Sequence, residues 1–223
     1  MPQPPATELP GRVAEAIDQQ DPVLTPLPTP AEVTQVLVGL AAQTAARVWS
    51  MQWGARLSSL RRTLGLDGPA RDRAVDERTV YSPRAAASFP LLTTLEPEVR
   101  IGDVPLPALV VDERAALLAS PRPLDREVHA FLTEDPDLVA LAARAIADAW
   151  AHGRGWQDAG LRPPLDPRRF HVALGMADGL SDRQIAETLG VSARTVAVEV
   201  RAVLDWLGAR NRGHGIAMLV GAA

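Results

Sequence analysis

The chain has 223 residues, 47% of them hydrophobic, with no cysteine, four His and a formal net charge of -4. That length allows one large or two small domains around a buried core. It excludes disulfides, thiolate metal sites and thiol nucleophiles, the His residues lack metal-ligand spacing, and the negative charge argues against coating nucleic acid by bulk electrostatics.

All 23 cations are Arg, which together with abundant Ala reads as the codon bias of a GC-rich genome such as an actinobacterial one. Apolar runs such as Val36–Ala46 and Val139–Ala151 carry Gln, Arg or Asp, so no membrane span is expected. The start, "MPQPPATELPGR", has no basic region followed by an apolar stretch, and a cytoplasmic location is expected.

Residues 1–30 are rich in Pro and read as a tether, extended at "LTPLPTP", with a short helix near Val13–Gln19. A helix is predicted from Ala31, with Val33, Val36, Leu37, Leu40 and Ala41 on one face, ending before Val48. Next come a strand in "RVWSMQW", a helix in "RLSSLRRTLGL" (residues 56–66) and a strand in "DERTVYS". A loop with Pro83 and Pro90 leads to strands in "EVRIGD" and "LPALVVD", the latter apolar without alternation and so buried on both faces. Two helices follow, about Asp125–Leu132 and Asp137–His152, and "HGRGWQDAGLRPP" reads as a linker. Trp49, Trp53 and Trp150 are expected in core or interdomain packing, and Trp156 in docking of the linker. His129 and His152 are expected in structural or solvent-facing roles.

Beyond Leu165 the chain reads as helical throughout. Asp166-Pro167 is a cap and first turn, and Gly179 a stop. Ser181 with Gln184 makes a capping box, Gly190 ends the second helix, and Ser192 caps the third. Val196, Val200, Val203, Leu204 and Leu207 give the third helix an apolar underside, leaving Arg194, Ala197, Val198 and Arg201 facing elsewhere. A short helix, a turn with Gly and a helix with one free face are the parts of a helix-turn-helix.

The stretch "LDPRRFHVALGMADGLSDRQIAETLGVSARTVAVEVRAVLDWLGARNRGHGIAML" resembles the DNA-binding domain of LuxR-type regulators. The resemblance implies a third helix that enters the major groove of double-stranded DNA, with Arg183, Gln184, Arg194, Thr195, Ala197, Val198 and Arg201 as candidate contacts. It also implies a final helix, about Gly213–Val220, that pairs two copies through Ile216, Leu219 and Val220. This chain departs from the family pattern at four positions: Arg169 stands where an acidic residue is usual, Ala197 and Trp206 where Lys is usual, and Glu199 where His is usual. From Leu165 to Ala223 there are seven Arg and six acidic residues, leaving +1, a weakly basic surface for phosphate binding.

Residues 71–150 resemble a degenerate half of the phospholipase D fold, as in effector domains that precede LuxR-type domains in actinobacterial regulators. Such chemistry requires a His nucleophile, a Lys two residues on and an Asp five further. Counting back from Asp112 puts Pro107 and Pro105 at the Lys and His positions, so the resemblance implies a non-catalytic sensor or scaffold. Asp112 is read as a turn former after the strand, and Arg78, Arg100 and Arg114 as surface salt-bridge residues rather than anion ligands.

The expected architecture is an α/β amino-terminal domain, a small sheet with flanking helices, plus an all-α helix-turn-helix domain of four helices. Its divisions are a tether at 1–30, the α/β domain at 31–152, a linker at 153–164 and the helix-turn-helix at 165–223. The expected function is transcriptional regulation by DNA binding as a homodimer, with no enzyme activity, cofactor or metal. RNA polymerase or another regulator is a further expected partner, and the effector is open. The alternative reading is an adaptor using the charge-depleted third helix to bind a protein.

Overall fold

The structure, a computed structural model, describes residues 5–54, 75–123 and 129–222. The helix expected over 56–66 and the first turn of the one expected from Asp125 lie outside the described residues. The strands are β1 (Thr25–Leu27), β2 (Arg47–Gln52), β3 (Asp76–Tyr81), β4 (Arg100–Ile101), β5 (Ala108–Val111), β6 (Ala115–Leu118), β7 (Ala130–Thr133) and β8 (Arg154–Gly155). They form one mixed sheet in the order β1-β7-β6-β5-β2-β3-β4-β8, parallel at β2–β3 and β3–β4 and antiparallel elsewhere.

Helices α1 (Pro5–Asp18) and α2 (Pro30–Gln43) belong to the amino-terminal region, and α3 (Pro83–Ser88) and α4 (Leu92–Leu95) follow β3. The expected loop around Pro83 and Pro90 is therefore partly helical. Ser82 accepts from the Ala85 N–H, and Pro83 sits in the first turn, where its missing N–H costs nothing. Helix α5 (Pro136–His152) is capped by Asp135, which accepts from Leu138 N–H at 2.9 Å, and it buries Leu138, Leu141, Ala145, Ile146 and Ala149 against the sheet as the stripe predicts.

Residues 5–30 are built into this layer instead of forming a tether. Leu9, Val13 and Ala16 recur on one face of α1 and are buried with α5, while Thr25–Leu27 adds an edge strand to β7. The prolines hide this in the sequence, although an edge strand tolerates Pro26, whose missing donor faces away from the ladder. The helix expected through Leu132 is corrected too. Ala130–Thr133 is strand, held between β1 and β6. The apolar side of α2, by contrast, has no fully buried residue.

Asp112 and Glu113 both adopt left-handed backbone, φ 51° and 54°, in the three-residue turn joining β5 to β6. The Asp112 carboxylate accepts the N–H groups of Ala45, Ala46 and Arg47 at 2.8–2.9 Å, tying the hairpin to the start of β2. Burial opposes its ionisation, but these three donors and Arg114 outweigh that, and its pKa lies below the ordinary carboxylate value. The other two arginines considered as anion ligands are also engaged. Arg78 pairs with Asp76 at 3.3 Å and stacks on Trp49, and Arg100 donates to the Trp150 carbonyl at 2.7 Å.

The carboxy-terminal part holds α6 (Pro167–Ala177), α7 (Asp182–Leu189), α8 (Ala193–Leu207) and α9 (Arg212–Val220). Their caps are those read in the sequence: Asp166, the Ser181–Gln184 box, Ser192, and Gly190 in a left-handed turn at φ 63°; Gly208 closes α8 in the same way at φ 67°. Gly175 is required for packing, since a Cβ there would lie 2.7 Å from Ile185 Cγ1. These helices share a continuous apolar core with Tyr81, Phe89, Leu91, Leu92 and Ile101 of the α/β part. Among the described residues no helix is long and apolar enough to cross a membrane.

Candidate nucleic-acid interface

Helix α8 is anchored on one side and open on the other. Val196, Val200, Val203 and Leu207, at helical spacing, are buried against α6 and α7, with Ile185 and Ala186 beneath them. Ser192 fixes the start of the helix by accepting from Thr195 N–H at 3.0 Å. The opposite face carries Arg194, Ala197, Val198 and Arg201, all exposed. Val198 is 63% exposed, far more than a valine placed for packing alone.

The candidate contact residues differ in how free they are. Arg194 has no ion pair among the described residues. Arg201 pairs with Asp205 at 3.1 Å and Arg183 with Glu187 at 3.5 Å; both pairs are exposed, and such pairs hold a side chain by no more than about 1 kcal/mol. Two polar candidates are occupied by caps. Thr195 Oγ1 lies 2.8 Å from Ser192 Oγ, and Gln184 Oε1 accepts from Ser181 N–H at 2.9 Å. Of the residues expected to pair two copies, Leu219 is fully buried within its own chain, Ile216 is half-buried, and Val220 is 41% exposed.

Three of the four departures from the expected pattern are absorbed by neighbouring groups. Arg169 Nε donates to Glu199 Oε2 at 3.1 Å, and Arg168 lies 4.0 Å from the other oxygen, so two departures of opposite sign meet across α6 and α8. Trp206 Nε1 donates to the Pro163 carbonyl at 3.0 Å. Arg162 in turn donates to the carbonyls of Trp206 and Leu207 at 3.0 and 2.9 Å, filling acceptors that the end of α8 leaves open. The same strip is tied to α4, where Thr93 donates to the Arg162 carbonyl at 2.8 Å and Thr94 accepts from Leu165 N–H at 3.0 Å. Sequence reasoning gave no role to Arg162 or Arg168 and noted Arg169 only as a departure from the family pattern. For Arg169 a signal existed, because a lost acid and a gained acid on facing helices are a charge swap.

Residues 163–219 match the family model described as "Bacterial regulatory proteins, luxR family". This part of the chain is a LuxR-family helix-turn-helix domain. Two solved structures are similar to the chain at the level of fold. One is a phospholipase D family member, Nuc from Salmonella typhimurium, with 14% identity and a TM-score of 0.41, covering 54% of this chain and 88% of that one. The other is TrmBL2, an archaeal chromatin protein, with 13% identity and a TM-score of 0.41, covering 66% of this chain and 61% of that one. No curated protein matches the chain. In the LuxR-family domain, α8 is the third helix, and its exposed face carries Arg194, Ala197, Val198 and Arg201. Among the described residues no group of three or more His, Asp or Glu is arranged to hold a metal ion.

Proposed function

We propose that this protein is a cytoplasmic transcription regulator that binds duplex DNA through α8, acts as a homodimer and has no catalytic activity. The observation that carries this reading is the outward face of α8, where Arg194 and Arg201 flank Ala197 and Val198 with no protein covering them. A guanidinium can fork onto guanine O6 and N7, and a methyl-bearing side chain can pack on the methyl of thymine, so this face has the chemistry to read bases in the major groove. Arg183 and Arg168, at the flanks, suit phosphate contacts that set orientation. In a dimer, Val220 and the exposed part of Ile216 would meet their copies, and the half-sites would lie about 34–36 Å apart or a multiple of that.

In this reading the α/β part is a sensor or scaffold domain, and residues 153–164 are the linker that joins it to the helix-turn-helix from Leu165. Selecting bound fragments of the source genome with the purified full chain tests it. The expected result is enrichment of a repeated half-site, with binding that weakens as salt rises. Recovery of no fragment even at low ionic strength refutes DNA binding. A second reading, an adaptor that docks a protein such as RNA polymerase on α8, draws on the large exposure of Val198 and the neutralised Arg201. It predicts no enriched DNA, and a complex with the polymerase that Val198→Glu abolishes.

A further inference from the structure

Glu199 is an acid on the helix assigned to DNA reading, and a phosphate backbone repels acids. Simple charge counting therefore makes it a defect whose removal should strengthen binding. Its surroundings argue otherwise. The side chain is only 16% exposed and turned toward α6. There it accepts from Arg169 Nε at 3.1 Å, with Arg168 Nη1 at 4.0 Å from its second oxygen.

The same Arg169 Nε lies 3.4 Å from Asp166, the residue that caps α6 by accepting from the N–H groups of Arg168 and Arg169. The chain Asp166–Arg169–Glu199 thus runs from the fixed start of α6 to the middle of α8. The buried stripe Val196, Val200, Val203 and Leu207 sets which face of α8 points inward, and Trp206 latches the same flank near its end. The ion pair to Arg169 adds a directional restraint in the middle of the helix, where apolar contacts alone tolerate small rotations. The face carrying Arg194, Val198 and Arg201 lies on the remaining arc of the same helix, so a rotation of α8 would carry all of these residues off their bases together.

We infer that Glu199 is a positioning residue: its ion pair with Arg169 fixes the rotational setting of α8, and sequence-specific binding depends on it although Glu199 itself touches no DNA. This rests on the DNA-binding reading. It also reverses the expected sign of a simple substitution. Removing the acid weakens specific binding, whereas a merely repulsive acid would give tighter binding when removed.

The test measures the affinity of the full chain for its selected duplex and for a random duplex of the same length, in the wild type, Glu199→Gln, Arg169→Glu and the double variant Arg169→Glu/Glu199→Arg. Glu199→Gln is expected to lose about three- to tenfold on the selected duplex, with affinity for the random duplex unchanged or raised. Arg169→Glu is expected to lose more, because two acids then face each other. The double variant restores the pair with its sign reversed, and its ratio of selected to random affinity is expected to return to within about threefold of the wild type. Equal or tighter binding of the selected duplex by Glu199→Gln overturns the inference, as does failure of the double variant to recover the ratio while its far-ultraviolet spectrum and melting match the wild type. If the wild type selects no duplex at all, the DNA-binding reading fails instead, and melting of the same four proteins then shows whether the pair restrains α8.

Discussion

Arg162→Ala removes one guanidinium that closes the far end of α8. In the wild type its two bonds, 3.0 and 2.9 Å, go to the carbonyls of Trp206 and Leu207, in the last turn where helical acceptors have no partner of their own. A hydrogen bond with a charged donor contributes about 1.5–3 kcal/mol net, and water can reach this half-buried site, which places the expected loss nearer the lower bound. Because α3, α4 and the helix-turn-helix share one apolar core, that loss should be felt by the whole chain in a single transition. For a protein of this size about 2 kcal/mol corresponds to a fall in Tm of roughly 4–8 °C. Urea unfolding followed by tryptophan fluorescence is the direct assay, since Trp206 bonds to the neighbouring Pro163 carbonyl. The midpoint should fall with an unchanged slope. Arg154→Ala, an exposed arginine whose side chain has no partner among the described residues, should change stability by less than about 0.5 kcal/mol. A change no larger than this control, or a wild type that unfolds in two separate steps, would refute the reasoning.

Gly175→Ala places a Cβ 2.7 Å from Ile185 Cγ1 in the middle of the helix-turn-helix, so a loss of about 1–3 kcal/mol is expected in thermal melts, partly recovered when Ile185 is cut to Val. Asp112→Asn weakens the acceptor that holds Ala45, Ala46 and Arg47. Because the folded pKa is depressed, the carboxylate's contribution is fully present above its unfolded pKa, about 3.9, and is lost as pH falls through the lower folded value. The gap in urea midpoint between wild type and variant should therefore be largest near neutrality and close below about pH 4. Replacing thymine by uracil in the selected duplex removes a methyl group worth about 0.8 kcal/mol, or about fourfold, to an apolar side chain packed on it, and Val198→Ala should abolish that difference at one position.

The helix-turn-helix is legible because its boundaries are written locally. Asp166, Ser181 with Gln184, Gly190 and Ser192 act within three or four residues of themselves, and the structure uses each as a cap or stop. The α/β part depends on pairings distant in sequence, and there local signals mislead. Ala130–Thr133 has no turn or cap to announce it and becomes a strand because β1 and β6 lie on either side. The run Ala115–Leu118 favours helix by composition, yet the left-handed Asp112-Glu113 turn folds it back on β5. At the candidate interface, outward faces follow from periodicity, whereas Arg162 and the Arg169–Glu199 pair join residues 30 to 45 positions apart.

The departures from the family pattern look like three lost cations on α8 when counted along the sequence, and the geometry reduces this to one. Glu199 and Trp206 are seven residues apart, two helical turns, and so share one flank; both turn toward the body of the protein, to Arg169 and to the Pro163 carbonyl. Cations at those two positions would not stand beside Val198. Ala197 alone leaves a bare place on the outward face. Ala197→Lys therefore restores charge where it can reach phosphate without disturbing the underside or either latch. Adding one phosphate contact should steepen the dependence of log affinity on log salt by about 0.9 per bound copy. Because a phosphate contact carries no sequence information, selected and random duplexes should both bind more tightly and the ratio between them should hold. A gain confined to the selected site would place position 197 over a base edge instead, and an unchanged slope would mean that this face of α8 does not meet the backbone of DNA.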